Sequence, residues 1–253
     1  MAIQIPVALQ LYSVREDCAR DLAGVLGAVA RMGYAGVEFA GTYGHGAADL
    51  RRILEAEGLR PAGAHTKLDE LVGDAFAPTA DFHLTLGNRF LVVPSLPRER
   101  RGSRKQLLDT AKLLNDLAAR ASERGLMVGY HSHDFDFAPL DGETGWDLLA
   151  AHTAPEVVMQ IDTGNALHGD ADPVACLERH PGRARTIHLK DHDPDRGYVL
   201  LGEGTMPWQR LFDLCESVEP TEWYIVEQEA YPGERTPLEC VAACRQSLAD
   251  MGR

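Results

Sequence analysis

Short apolar runs recur along this chain, and each is followed by a longer segment in which apolar residues repeat with the period of a helix. Runs that are apolar at nearly every position are typical of strands buried on both faces of a parallel sheet. The sequence therefore predicts a series of strand–helix units. Eight strands are predicted, at residues 7–11, 36–39, 60–65, 89–94, 126–131, 157–162, 184–190 and 223–228.

The helices predicted between these strands lie at residues 21–32, 47–57, 78–86, 104–124, 144–151, 172–178, 207–217 and 237–251. Gly87 and Gly125 follow the last turns of two of them, where glycine is favoured because the chain must adopt a positive φ. Eight such units in 253 residues predict an α/β fold, a (β/α)8 TIM barrel, as a single domain spanning residues 1–253. A doubly wound open sheet is the alternative, but no GxGxxG motif follows the first strand.

Composition and charge narrow the class of function. The formal net charge of -13 disfavours nucleic acid and anionic membranes as partners, so a small neutral ligand is expected. Neither a long apolar stretch nor a signal-peptide pattern is seen, which predicts a cytoplasmic protein. The five cysteines show no CxxC spacing and suggest neither a disulfide framework nor a thiolate site. Homo-oligomers are a general expectation for such enzymes.

Polar side chains collect where the apolar runs end, which is the functional edge of this type of barrel. Five of the ten histidines lie at or just beyond three strand ends, and two carboxylates close two other strands. Like-charged carboxylates brought together in a buried place need a cation between them. We therefore predict a divalent-metal site with four ligands from strands five to eight: His131, Asp162, His188 and Glu227.

The mixture of imidazoles and carboxylates suits a transition metal better than Ca²⁺, which prefers oxygen ligands. We expect one ion, with Mn²⁺ as the first choice and Co²⁺, Zn²⁺, Mg²⁺ and Fe²⁺ as alternatives.

Several motifs resemble the xylose-isomerase-like barrel superfamily of sugar phosphate isomerases and epimerases, over nearly the whole chain. They are LQLYSVR at 9–15, GYAGVE at 33–38, YHSHDF at 130–135, DTGN at 162–165, IHLKD at 187–191, GEG at 202–204 and WYIVEQ at 223–228. The resemblance implies a divalent metal held at the ends of strands five to eight, with Asp162, His188 and Glu227 matching three ligand positions.

The fourth position departs from the pattern of the keto-sugar 3-epimerases that belong to this superfamily. Those enzymes place a glutamate on strand five that is both ligand and base, whereas this chain has His131. They also carry a histidine where Asn165 stands. Epimerisation is most simply performed by two opposed bases, so the change favours reactions that need only one.

We therefore expect Glu227, Lys190 and His131 to be catalytic, with Glu227 removing a proton next to a carbonyl of a small sugar or polyol. Lys190 would neutralise an oxyanion or protonate a leaving oxygen; alternatively, it forms a rim salt bridge to Asp191 or Glu203. Residues assigned to substrate binding, with rim hydrogen bonding or packing as the competing interpretation, are Glu38, His65, His133, Asn165 and Trp208.

An isomerase or epimerase is the first expectation, and a lyase or dehydratase acting on a keto-sugar, keto-glycoside or keto-inositol is the alternative, because both begin with the same proton abstraction. A non-catalytic sugar-binding barrel is a further reading. Endonucleases acting at abasic DNA share the superfamily, but they use a larger three-metal cluster and need a basic groove, which a net charge of -13 disfavours.

Overall fold

Eight parallel strands form a nearly closed barrel in the computed structural model, which describes residues 4–217 and 221–253. We number the barrel strands β1 to β8: Val7–Gln10, Gly36–Phe39, Arg60–His65, Phe90–Val93, Met127–His131, Val158–Gln160, Thr186–Leu189 and Trp223–Val226. Neighbouring strands pair from β1 to β6, β7 pairs with β8, and β8 pairs with β1. A parallel bridge between Asp162 and His188 joins the remaining seam between β6 and β7. The predicted barrel is confirmed and the open sheet is excluded.

The helices lie outside this sheet. In chain order they are α1 Arg15–Arg31, α2 Ala47–Ala56, α3 Leu68–Leu71, α4 Phe76–Leu86, α5 Arg98–Arg101, α6 Arg104–Ser122, α7 Gly145–His152, α8 Thr163–His168, α9 Pro173–Arg179, α10 Trp208–Ser217 and α11 Pro237–Asp250. All eight predicted helices are present, with most ends within two residues of the prediction. Gly87 and Gly125 have φ angles of 83° and 73°, as expected after a helix end. Among the described residues, no helix has the length and apolar character needed to cross a bilayer.

The first helix begins six residues before its predicted start at Asp21. A short 3-10 turn, Leu11–Val14, leads directly into α1, and Asp21 interrupts the helix with φ −155° and ψ 82°. Its carboxylate accepts a hydrogen bond from the Gly24 amide at 2.9 Å, as an N-cap does. The sequence thus indicated the second segment of a kinked helix and missed the first.

The barrel interior is built in two layers with opposite polarity. The lower layer is an apolar cluster: Ala8, Ala62, Phe90, Val92, Val158, Trp223 and Ile225. Side chains two positions further along a strand point the same way, so Ala8 is followed by Gln10, Val158 by Gln160 and Ile225 by Glu227. Those three polar side chains are almost fully buried above the apolar layer. The candidate site stands on this apolar floor.

Candidate active site

The four predicted ligands converge at the carboxyl ends of β5 to β8. Ligand atoms of His131, Asp162, His188 and Glu227, which we call the ligand cluster, all lie within 4.8 Å of one another, and all four residues are buried. His188 Nδ1 is 3.1 Å from Glu227 Oε2 and 3.9 Å from Asp162 Oδ2, and His131 Nε2 is 3.9 Å from Glu227 Oε2. Atoms bound about 2.0–2.2 Å from one ion lie within about 4.4 Å of each other. The cluster is therefore slightly wider than one coordination sphere, and its side chains would move closer together to bind one ion.

Asp162 shows most directly that the cluster suits a cation. Its Oδ1 accepts the Asn165 amide at 2.7 Å and caps α8. Its Oδ2 is buried within the cluster and has no hydrogen-bond partner among the described residues. A buried oxygen of this kind is costly unless a proton or a cation satisfies it. The donor set of two imidazoles and two carboxylates suits a divalent transition metal.

A layer of buried hydrogen bonds below the cluster orients both ligand histidines. Glu38, on β2, accepts from Gln10 Nε2 at 2.7 Å, from Gln160 Nε2 at 2.9 Å and from His188 Nε2 at 2.6 Å. A carboxylate only accepts hydrogen bonds, so Glu38 defines the orientation of the Gln160 amide. Gln160 Oε1 then accepts from His131 Nδ1 at 3.0 Å and from His65 Nε2 at 3.1 Å.

These hydrogen bonds determine which ring nitrogen of each ligand histidine faces the ligand cluster. His131 carries its proton on Nδ1, so its Nε2 lone pair points towards Glu227. His188 donates from Nε2 to Glu38 and from Nδ1 to Glu227 Oε2 at 3.1 Å, so a metal ion would replace the proton on Nδ1. Gly63 makes room for the carboxylate behind them, because a Cβ at that position would lie 2.6 Å from Glu38 Oε1.

Charges in the cluster balance one another. Burial alone lowers the pKa of His188, but the carboxylates of Glu38 and Glu227 raise it to about 10. Burial raises the pKa of Asp162 to about 7, although Lys190 opposes this shift. The pKa of Glu227 is lowered despite burial, because Lys190 and His188 favour its ionised form. Burial, together with the charges of His188 and His65, lowers the pKa of His131, which is therefore neutral.

Lys190 is a second cation in the site, beside His188. Its ammonium pairs with Glu229 and lies 3.8 Å from Glu227 Oε2 and 3.9 Å from Asp162 Oδ2. Burial lowers its pKa, but the three carboxylates outweigh burial and raise it above the usual value. The group therefore stays protonated and is better suited to neutralising an oxyanion than to donating a proton.

Lys190 does form a salt bridge, but its partner is Glu229 and not Asp191 or Glu203, as the sequence analysis considered. The Asp191 carboxylate instead accepts from the backbone amides of Gly202, Gly204 and Met206. Glu203 pairs with Arg196.

A cavity of about 430 Å³, which we call the polar cavity, opens above the cluster. His65, His131, His133, Asn165 and Glu227 line it, as the sequence suggested. Tyr12, Lys67, Asp134, Tyr198 and Glu229 also line it. The cavity therefore exposes hydrogen-bonding groups and carboxylates to a ligand, which suits a hydroxylated molecule.

Two residues assigned to substrate binding lie elsewhere. Glu38 is fully buried beneath the histidines and does not line the polar cavity, so the hydrogen-bond network is the correct interpretation for it. Trp208 is 8% exposed, donates from Nε1 to Asp191 and packs on Phe212, with ring centroids 5.9 Å apart. Its assignment to the substrate is wrong because the loop after β7 turns the indole into this packing.

The sequence analysis missed Gln160 and Tyr198. Gln160 had a readable signal, since it is a polar residue inside an apolar run, two positions before Asp162 and hence on the same face. Tyr198 lies in a short antiparallel ribbon, Asp191–Asp193 with Gly197–Val199, and donates to Asn165 Oδ1 at 2.7 Å. Nothing local to Tyr198 indicates that this ribbon returns over the barrel mouth.

The protein is a (β/α)8 barrel with a candidate metal centre, formed by buried imidazoles and carboxylates at the carboxyl ends of its strands. Residues 26–244 match the model of the xylose isomerase-like TIM barrel family, and the chain belongs to that family. This confirms the resemblance seen in the motifs.

Similar proteins span nearly the whole chain. Rhizopine catabolism protein MocC of Rhizobium meliloti is 28% identical over 98% of this chain and 89% of its own length. Inosose dehydratase of Clostridium tetani is 24% identical over 93% of this chain and 89% of its own length. The crystal structure of a sugar phosphate isomerase/epimerase from Parabacteroides distasonis has a TM-score of 0.83 and 24% identity, covering 97% of this chain and 94% of that one. At that identity the structural likeness establishes the fold alone.

Proposed function

We propose that this chain is a metal-dependent enzyme that removes a proton next to a carbonyl group of a small keto-sugar or keto-polyol. The observation that carries the proposal is the buried Asp162 Oδ2, which has no hydrogen-bond partner among the described residues and belongs to the ligand cluster. Two other members of that cluster, His131 and Glu227, line the polar cavity. His131, Asp162, His188 and Glu227 would hold one divalent ion. When bound, the ion would supply a Lewis acid that stabilises negative charge on the substrate oxygens.

Glu227 is the base in this proposal. Its carboxylate is ionised and lines the polar cavity. It would take the proton of the C–H bond, and the electron pair of that bond would form an enediolate with the neighbouring carbonyl. Lys190, 3.8 Å from Glu227, would help to neutralise the negative charge that develops.

Elimination is the favoured outcome, and isomerisation is the second candidate. His131 replaces the second carboxylate that a two-base epimerisation would use, and its pKa lies well below the usual value. In elimination, the enediolate would expel a hydroxyl from the next carbon, and this hydroxyl would take the proton held on Glu227 and leave as water. In isomerisation, the proton on Glu227 would return to the former carbonyl carbon, and the proton of the neighbouring hydroxyl would pass to the former carbonyl oxygen. Inosose dehydratase among the similar proteins supports the first outcome.

The endonuclease alternative gains no support from the second histidine group. His65, His131 and His188 also lie close together. However, the nitrogens on that side of the group are hydrogen-bonded to Gln160 and Glu38. We therefore propose one ion, in the cluster that contains Asp162.

Metal analysis and proton exchange test the proposal together. Purified protein should hold about one divalent ion per chain, and loaded protein should exchange the α-proton of a keto-inositol or keto-hexose in deuterated water. Glu227→Gln should abolish exchange, whereas Glu55→Gln, an exposed change of the same charge, should not. Product analysis by NMR then separates water loss from isomerisation. Absence of metal uptake from Mn²⁺, Co²⁺ or Zn²⁺ would overturn the proposal.

A further inference from the structure

A second cavity of about 570 Å³ lies beside the polar cavity, between α2, α4 and the carboxyl ends of β2 and β3. We call it the Phe82 cavity. Ala40, His65 and Lys67 line both cavities, so the two adjoin at these residues. A ligand held at the ligand cluster can therefore extend past His65 into the second space.

The walls of the Phe82 cavity combine apolar side chains with polar groups. They include Phe39, Leu50, Phe82 and Leu86, while the exposed Lys67 and Glu70 stand at its edge. Elsewhere the described surface is poor in apolar groups, with only Tyr12 and Leu84 exposed among large hydrophobic side chains. An apolar group that covers the apolar part of these walls is removed from water, which favours its binding.

His83 adds one hydrogen-bond donor to these walls. Asn88 bonds to both backbone groups of Phe90, with Nδ2 donating to its oxygen at 2.9 Å and Oδ1 accepting from its amide at 3.2 Å. The orientation of the Asn88 amide is therefore defined, and Nδ2 also donates to His83 Nδ1 at 3.0 Å. The proton of neutral His83 then sits on Nε2, which has no hydrogen-bond partner among residues 4–217 and 221–253.

We propose that the substrate is a conjugate, with its keto-sugar ring at the ligand cluster and an uncharged aryl group in the Phe82 cavity. This inference rests on the proposed function and specifies its substrate class. The aryl ring would pack on Phe82 and Leu86, and an acceptor oxygen on the ring would receive the His83 Nε2 proton. An aryl glycoside has this composition, whereas a free monosaccharide leaves the apolar walls uncovered.

A matched pair of ligands measures the contribution of the second cavity. The metal-loaded protein is given a keto-hexose and the phenyl glycoside of the same keto-hexose, and α-proton exchange is followed by NMR. We expect kcat/KM to be about tenfold higher, or more, for the phenyl glycoside, the scale of effect that one apolar group has in a fitted pocket.

Three variants on one helix locate the effect. Thr79 lines the Phe82 cavity, so Thr79→Phe should fill it and remove the preference for the phenyl glycoside. Phe82→Ala should reduce the preference by removing the ring that the aryl group contacts. Leu84→Ala is the matched control, because Leu84 belongs to α4 and is 41% exposed. Its preference should equal that of the wild type.

A binding measurement separates this inference from the proposed function. Saturation-transfer NMR with phenyl glucoside on metal-free protein detects contact with the phenyl protons without any reaction. Contact that Thr79→Phe abolishes would support the inference even if no keto-sugar exchanges a proton. Equal kcat/KM for both ligands, with phenyl contact unchanged by Thr79→Phe, would overturn the inference and leave the proposed function standing.

Discussion

Replacing Glu38 by glutamine should weaken metal binding even though Glu38 touches no ion. The carboxylate accepts three hydrogen bonds, from Gln10, Gln160 and His188. A glutamine of the same shape offers one oxygen and turns an NH2 group towards at least one of these donors. The hydrogen bonds that hold the His188 ring and orient the Gln160 amide are then weakened or broken.

The expected magnitude follows from the loss of a charged partner behind a metal ligand. Such partners typically contribute 10–100-fold to metal affinity, which corresponds to about 1.4–2.7 kcal/mol. We therefore expect the Kd of Glu38→Gln for Mn²⁺ to rise by about 10–100-fold.

Isothermal titration of metal-free protein with Mn²⁺ measures this change directly. Glu55→Gln is the matched control, since it removes the same charge from an exposed ion pair with Arg51 on α2. Thermal unfolding of the metal-free variants shows whether the fold is retained. If folded Glu38→Gln binds Mn²⁺ as tightly as the wild type does, the argument that the buried layer orients the ligand histidines is refuted.

Three further changes have defined outcomes. In the wild type, Mn²⁺ at 100 times its Kd should stabilise the protein by about 2.7 kcal/mol and raise its Tm. Asp162→Asn should abolish this rise without lowering the Tm of the metal-free protein, because it removes a buried carboxylate. A rise in Tm that persists in the variant would count against Asp162 as a ligand. Lys190→Met removes the ammonium shared by three carboxylates and leaves His188 to face two of them, so metal-free protein should lose about 3–5 kcal/mol of stability. Calorimetry showing no loss would contradict this role. Burial lowers the pKa of His83 to about 4, whereas a histidine in the unfolded chain titrates near 6.5. The contribution of neutral His83 to the free energy of unfolding is therefore complete above pH 6.5. It falls by up to about 1.4 kcal/mol per pH unit between pH 6.5 and 4. Urea titrations across this range should show a smaller loss on acidification in His83→Phe, and equal pH dependence in both proteins would exclude the assignment.

The alternation of buried runs and helical segments was enough to predict the barrel, because both periodicities are local properties of the chain. The strands at 36–39 and 60–65 match the structure at both ends. The kink at Asp21 was not predicted, since Asp is also an ordinary helix start. Of the two interpretations of Glu38, the hydrogen-bond network is correct and substrate contact is wrong, because Glu38 is fully buried beneath the histidines.

The sequence by itself determined which residues stand at strand ends, and therefore that His131, Asp162, His188 and Glu227 share one edge of the barrel. Their separations, the hydrogen bonds from Glu38 through Gln160 to the histidines, and the adjoining Phe82 cavity were decided only by the tertiary structure. The physical reason is range. Strand and helix periods depend on neighbours a few residues apart. Gln160 and Glu38, in contrast, are 122 residues apart in sequence and form a hydrogen bond only when the barrel closes.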